Sequence, residues 1–398
     1  GPHFCSAQAR SLEGRRGCSM KARRLFFLAA LGLAALGCEA DPPTPPPRAK
    51  TATRPSATSA PVDAKNANNP SKPSGPVRVA LEEKAMGTQV VLAAYTSEAL
   101  DEPAIRQKLR KAHAEIKRLE LLMTTWRDDS EISRVNAAAG QEAVKVGPES
   151  LAVIQKSIWI GEASSGVFDI TFEAMHGLWK FDQDLEARVP PKDAIAERRK
   201  LIDYRKIKVD EKKSTVKLEE TGMKMSLGGI AKGFAIDAAA RVLRDEGLTS
   251  FFAQAGGDLY VSGKKPDGSS WRVGIRDPRG KHAGDYFAML EVDDHAFSTA
   301  GDYERSFVLE GKRYHHIIDP RTGYPATASR SVTVWAGDAL TADAIDDAVF
   351  ILGAPEGMKL VESIEDCGAV VVDAKNKVWI SKRLAGKVQI LRDPTDGI

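Results

Sequence analysis

Three acidic residues, Asp343, Asp346 and Asp347, stand in the stretch TADAIDDAVFILG, just ahead of an apolar run. On a helix the positions i, i+3 and i+4 share one face, so the three carboxylates would converge. Like charges held that close are unfavourable unless a cation sits among them, and an all-oxygen ligand set favours Mg²⁺ or Ca²⁺. The competing reading is that acidic residues at a helix start only complement the helix dipole. A second stretch, MSLGGIAKGFAIDAAARVL at 225–243, carries a short apolar run into a glycine pair and then a helix with Lys232 in its first turn. Glycines let backbone amides approach an anion, and a helix N-terminus adds a favourable partial charge, so this loop could cradle a phosphate. Its spacing matches neither the P-loop nor the dinucleotide fingerprint, and glycines ahead of a helix also serve simply as a tight turn.

Two further stretches combine aromatic and polar groups. In MTTWRDDSEISRVN at 123–136, Ser130 is placed to cap a short helix, and Trp126 could stack on a planar ring or belong to the core. In GVFDITFEAMHGLWKF at 166–181, Asp169 and Thr171 alternate with Phe168, Ile170 and Phe172, a strand-like pattern that could aim polar groups into a cleft. A fifth stretch, RYHHIIDPRTGYPA at 313–326, leads from a histidine pair into a turn of Asp319, Pro320, Arg321, Thr322 and Gly323. Strand alternation sends His315 and His316 to opposite faces.

The elements that must position these groups alternate in type. Two strands around a turn near Met86 and Gly87 precede an amphipathic helix in EPAIRQKLRKAHAEIKRLELLM. The pattern then predicts a helix near 148–163, a hairpin in KIKVDEKKSTVKLEE and a helix over about 231–246. Strands are expected near 250–262, 271–276, 286–292, 306–318, 330–336, 368–373 and 377–381, with a helix near 341–352. Hairpin-joined strands interleaved with helices argue for one α+β domain with mixed, largely antiparallel sheets.

That domain is expected over residues 77–398. Before it, residues 1–19 lack pattern and read as a mis-called start or a vector-derived segment. Met20 opens a secretory signal, with Lys21, Arg23 and Arg24 followed by LFFLAALGLAALG and Cys38. The apolar run is shorter than the roughly 20 residues that a spanning helix needs. Small residues running up to a Cys look like a bacterial lipobox, so Cys38 is the lipidation candidate and the chain is expected to be exported and held to a membrane by a lipid anchor. Residues 39–76 are rich in Pro, Ala, Ser and Thr with almost nothing to bury, which makes a disordered tether. After such processing Cys367 is the one cysteine left, so the fold depends on an ordinary core rather than a disulfide. A balance of 57 basic against 54 acidic residues gives no reason to expect nucleic-acid binding.

Taken in order, AMGT at 85–88, MTTWRDDSEISRVN, GVFDIT, SLGGIAKGFAID, AQAGGD at 253–258, STAGDYER at 298–305, HHIIDPRTG and ADAIDDAVFILG resemble the ApbE family of FAD:protein FMN transferases. The resemblance runs from about Val77 to the C-terminal end. It implies FAD contacts at Met86, Trp126, Val167, Phe168, Asp169, Ser226, Lys232 and Ile317, and it makes His316 a candidate base. It also implies a Mg²⁺ held by the main-chain carbonyl of Gly229 and the side chains of Asp343 and Asp347. Two positions depart from the family pattern: Ser226 stands where an Asp is usual, and Asp347 where a Thr is usual. The implied reaction moves FMN from FAD onto a Thr or Ser hydroxyl of an acceptor flavoprotein and releases AMP. The alternatives are a Mg²⁺-dependent FAD pyrophosphatase using the same site and a non-enzymatic FAD-binding lipoprotein. If His316 is the base, activity should fall as pH drops through the usual imidazole value near 6.5.

Overall fold

The computed structural model of the protein describes residues 75–181, 185–282 and 284–398. The segment 1–19, the expected signal 20–38 with Cys38, and the tether up to residue 74 lie outside the described residues. No described helix is long and apolar enough to cross a membrane.

The first hairpin joins β1 (Arg78–Ala85) to β2 (Thr88–Tyr95) through Met86 and Gly87, both at positive φ (53° and 69°), the paired left-handed geometry of a tight hairpin turn. Helix α1 (Glu102–Met123) follows; the Asp101 side chain accepts from the Ala104 amide, and Ile105, Leu109, Ala112, Ile116, Leu119 and Met123 bury one face at helical spacing. Ser130 caps α2 (Glu131–Ala137) as expected, accepting from the Ser133 amide. Then come β3 (Val144–Lys145), α3 (Pro148–Ala163), a 3-10 helix (Ile170–Met175), α4 (Lys192–Arg199) and the hairpin β4 (Ile207–Asp210) and β5 (Thr215–Leu218). Helix α5 (Ala231–Asp245) leads to β6 (Phe251–Ala255), β7 (Asp258–Ser262), β8 (Trp271–Arg276), β9 (Tyr286–Val292) and β10 (Ala296–Gly301). The region expected as one strand over 306–318 is broken into β11 (Ser306–Leu309), β12 (Lys312–His315) and β13 (Ile318–Asp319), the last paired with β14 (Tyr324–Pro325) across the Asp319–Gly323 turn. The chain continues with β15 (Ser329–Ala336), α6 (Ala339–Leu352), α7 (Ala354–Ser363), β16 (Cys367–Asp373), β17 (Val378–Ile380) and β18 (Gln389–Ile390).

Eight strands form one antiparallel sheet in the order β1, β2, β6, β7, β10, β15, β16, β17. Helices α1, α5, α6 and α7 cover one face and enclose the main core. The other face packs through Phe297, Trp335, Val370 and Val372 onto Trp271, Val273, Phe287 and Leu290 of a three-stranded sheet, order β18, β9, β8. The α+β expectation holds, with largely antiparallel sheets in a single domain. Cys367 is buried at the head of β16, and burial pushes its thiol up to about 12.

Helix α6 is buried nearly all round, so any carboxylate on it is carried into the interior. Its N-terminus is fixed to α5, because the Ala339 and Leu340 amides donate to the Asp237 carboxylate at 2.8 Å each. A Cβ at Gly233 would come within 2.2 Å of the Ala339 carbonyl oxygen, so only glycine permits this approach of the two helices.

Candidate active site

The acidic stretch does converge. Asp258 at the start of β7 and Asp343 and Asp346 on α6 each offer an oxygen within 4.8 Å of the others. Lys232, from the first turn of α5, lies between two of them: its Nζ is 3.0 Å from Asp258 Oδ2 and 3.2 Å from Asp343 Oδ1. The Gly233 amide donates to Asp343 Oδ2 at 2.8 Å. Ser298 on β10 faces Asp346 Oδ2 at 2.6 Å and Asp258 Oδ1 more closely still. A hydroxyl carries one proton, so one of these two carboxyls must itself be protonated and donate. Asp346 is that group: burial and the neighbouring Asp347, Asp343 and Asp258 push it well above the carboxylate range. Burial and Asp258 push Asp343 up to about 7 against the pull of Lys232, and burial raises Asp347 to about 6. Burial works against the Lys232 ammonium, but Asp258, Asp343 and Asp346 outweigh it and hold the charge far above the ordinary lysine range.

Asp347 turns to the glycine loop. A Cβ on Gly229 would stand 2.9 Å from Asp347 Oδ2, so the bare loop backbone and this carboxylate share one space. The set fits a hard divalent cation on three counts. All donors are oxygens, buried Asp258 Oδ2 has the Lys232 ammonium at 3.0 Å as its neighbour, and that ammonium already stands among the carboxylates as a positive charge. The structure therefore brings together Gly229, Asp343, Asp347 and Lys232 from the sequence expectation. Asp346, weighed above only as part of the acidic face, joins them, and so do Asp258 and Ser298, which sequence reasoning missed. The available signal for Asp258 was an acid directly after Gly256 and Gly257 at the head of an otherwise apolar strand.

The segment 166–175 is not a strand. Asp169 caps the 3-10 helix: its Oδ1 accepts from the Thr171 amide and hydroxyl, and its Oδ2 from the Tyr204 amide at 2.8 Å. Its carboxylate is thus spent on the chain, while Val167 and Phe168 are buried, with Phe168 standing against Gly229. The Ile170 carbonyl accepts from the Ser226 amide at 2.9 Å, which ties this segment to the glycine loop. Trp126 is not core; it is 77% exposed and edge-on to His176, with ring centroids 6.1 Å apart. Met86 sits in the β1–β2 turn, beside the β6–β7 turn through the bond from the Gly256 amide to the Gln89 carbonyl.

The two histidines separate as alternation requires. His315 is buried, donates from Nε2 to the Ala326 carbonyl at 2.8 Å and accepts on Nδ1 from the Ile317 amide. His316 is half-buried, with Nδ1 enclosed and without a hydrogen-bond partner among the described residues. Burial, reinforced by Arg305, His315 and Lys232, pushes its imidazole down to about 3. The expected titration of His316 near 6.5 is therefore corrected: the ring stays neutral throughout the physiological range. In the turn that follows, Arg321 donates to Asp319 from its amide, Nε and Nη2, so these two charges satisfy each other.

Residues 86–371 match the family model described as the ApbE family. The chain belongs to the ApbE family. It is 32% identical over 324 residues to the FAD:protein FMN transferase of Treponema pallidum (strain Nichols), covering 78% of this chain and 88% of that protein. A protein of the same name from Klebsiella pneumoniae (strain 342) is 30% identical over 309 residues, covering 76% and 87%. Among solved structures, the ApbE protein of Thermotoga maritima superimposes with a TM-score of 0.71 at 31% identity, covering 78% of this chain and 99% of that one. The flavin transferase ApbE of Vibrio cholerae gives 0.70 at 25%, covering 79% and 100%. In this ApbE chain the Ser226 hydroxyl accepts from the Gly228 amide at 3.2 Å, so it braces the loop from within. Asp347, the other departure, puts a fourth carboxylate beside the loop, and it is the only one of the four that is partly exposed.

Proposed function

We propose that this chain is a Mg²⁺-dependent FAD:protein FMN transferase, moving FMN from FAD onto a Thr or Ser hydroxyl of an acceptor flavoprotein with release of AMP. The observation that carries this reading is the meeting of the glycine loop at the head of α5, with Asp347 against Gly229, and the buried Asp258, Asp343 and Asp346 cluster, where the Lys232 ammonium bridges Asp258 and Asp343. A phosphate-receptive backbone beside a cation-demanding cluster suits a pyrophosphate substrate. The names of the relatives support the same activity.

Lys232 and the loop amides would hold the pyrophosphate, with Trp126 free to stack on the flavin ring and Val167 and Phe168 closing the apolar side. Gly229, Asp343 and Asp347 would hold Mg²⁺, which when bound would supply charge neutralisation at the scissile phosphate. The acceptor hydroxyl forms a new bond to the FMN phosphorus as the bond to the AMP phosphate breaks; positioning and charge stabilisation dominate such a step. A neutral His316 can accept a hydrogen bond from that hydroxyl and orient it. Its low proton affinity makes it a poor terminal base, so the proton leaves through Asp347, the carboxylate nearest solvent. The chain would act at the outer face of a membrane, anchored through Cys38 and spaced by the tether at 39–76.

The test incubates the full chain with FAD, Mg²⁺ and an acceptor flavoprotein and weighs every product. An acceptor carrying one FMN, with an equal amount of AMP, is expected. Free FMN and AMP without an adduct would make the protein a pyrophosphatase, and intact FAD would leave it a binding protein.

A further inference from the structure

The cluster that holds the Asp319–Gly323 turn has no part in the chemistry above, yet it touches the chain on either side of His316 and Ile317 and the 3-10 helix that follows Phe168. Trp179 is buried, and its Nε1 donates to the Gly323 carbonyl at 2.9 Å. The same indole stacks on Tyr314 at 5.9 Å and meets Tyr324 edge-on at 5.8 Å. It therefore grips the chain on both sides of His316 and Ile317, before them at Tyr314 and after them at Gly323 and Tyr324. Gly323 has φ +76°, and a Cβ there would come within 2.6 Å of Ile195 and 2.9 Å of Met175, so the turn is seated on the last residue of the 3-10 helix. That helix follows Val167 and Phe168 and is bonded to the glycine loop at Ser226. A second clamp comes from α4, where Arg199 donates to the Arg321 carbonyl at 2.7 Å.

We propose that Trp179 is a positioning residue that sets the place of His316 and Ile317 against the flavin-lining segment, acting through the Gly323 carbonyl and Tyr324. Its functional consequence rests on the FAD reading; the clamp itself does not. Trp179→Phe keeps an aromatic ring in the stack but orphans the buried Gly323 carbonyl, a loss worth about tenfold in the equilibrium that holds the turn closed.

The test measures amide hydrogen exchange, FAD affinity and transfer kinetics on the full chain. Trp179→Phe should speed exchange across residues 314–326 by about tenfold while 231–245 stays unchanged, and kcat should fall more than FAD affinity. Phe307→Leu is the control: Phe307 stacks on Phe181 and Tyr314 of the same cluster but is not bonded to the turn. It should lower the melting temperature without changing kcat. Arg199→Ala, on an exposed bond, should reproduce the exchange effect in milder form and carries the test if Trp179→Phe does not fold. Unchanged exchange over 314–326 in both clamp variants, or equal kinetic losses in Trp179→Phe and Phe307→Leu, overturns the proposal. Faster exchange in a chain that does not bind FAD overturns the functional reading and leaves the clamp standing.

Discussion

Replacing Asp343 with Asn removes one of the two carboxylates that flank Lys232 and tests the electrostatics of the site without an activity assay. In the folded chain, burial and Asp258 raise this carboxyl from 3.8 to about 7. A group raised on folding contributes stability that is fully present below its unfolded value, near pH 4, and is lost as pH rises through about 7. At roughly 1.4 kcal/mol per pH unit, the loss shared by Asp343 and the carboxyls that titrate with it is on the order of a few kcal/mol by pH 8. The metal-free protein should therefore melt at a lower temperature at pH 8 than at pH 5, by several degrees at roughly 2 °C per kcal/mol for a domain of this size. A divalent cation reverses the sign of the local potential, and Mg²⁺ at a hundred times its dissociation constant should return about 2.7 kcal/mol. Asp343→Asn carries no ionisable proton at this position, so it should show a shallower pH dependence and a weak Mg²⁺ response. The measurement is calorimetric melting of both proteins in chelator and in Mg²⁺ at the two pH values. Identical pH slopes and identical Mg²⁺ shifts in the two proteins would refute the reasoning and reduce the cluster to a helix cap.

His316→Asn should slow transfer more than it weakens FAD binding, and the pH profile between about 5 and 8 should match that of the unaltered protein, because the ring does not titrate there; an inflection near 6.5 that vanishes in the variant would contradict this. Trp126→Ala should weaken FAD binding by roughly tenfold with little change in melting temperature, since the exposed indole gives up a stacking partner but no core contact; flavin fluorescence titration measures it. Asp347→Ala should cost about a hundredfold or more in transfer rate at saturating FAD, the scale of a lost electrostatic stabiliser, and near-normal turnover at low Mg²⁺ would remove it from the site. Cys38→Ser should move the protein from the membrane fraction to the soluble one with its activity intact, and continued membrane retention would contradict the lipid anchor.

Elements with one clean periodicity were legible. Helix α1 buries one face of a long run at i, i+4, i+7, and the β1–β2 hairpin declares itself by alternating residues around Met86 and Gly87. Strand β10 was not legible: it lies between β7 and β15 and is buried on both faces, so its small residues AFSTAG show no alternation. The segment 166–175 misled for a related reason. Phe168, Ile170 and Phe172 alternate, but the Asp169 carboxylate offers the Thr171 amide a local partner, and that bond turns the chain into a 3-10 helix instead of a strand.

The same contrast runs through the site. Asp343, Asp346 and Asp347 could be placed on one helix face because spacing within a helix is a local property. Asp258 could not, since it reaches them only through the order of strands β7 and β10 and the packing of α5 on α6. The ionisation of His316 was misjudged for the same cause. The sequence shows an imidazole beside a turn and beside His315, but the burial that chiefly keeps it neutral, and the approach of Arg305 and Lys232, arrive only through the fold. Local chemistry thus told which residues could act, while their protonation followed from long-range contacts. That is why the proton in the proposed transfer is assigned to Asp347 and the orienting hydrogen bond to His316, a division that the pH profile of His316→Asn tests directly.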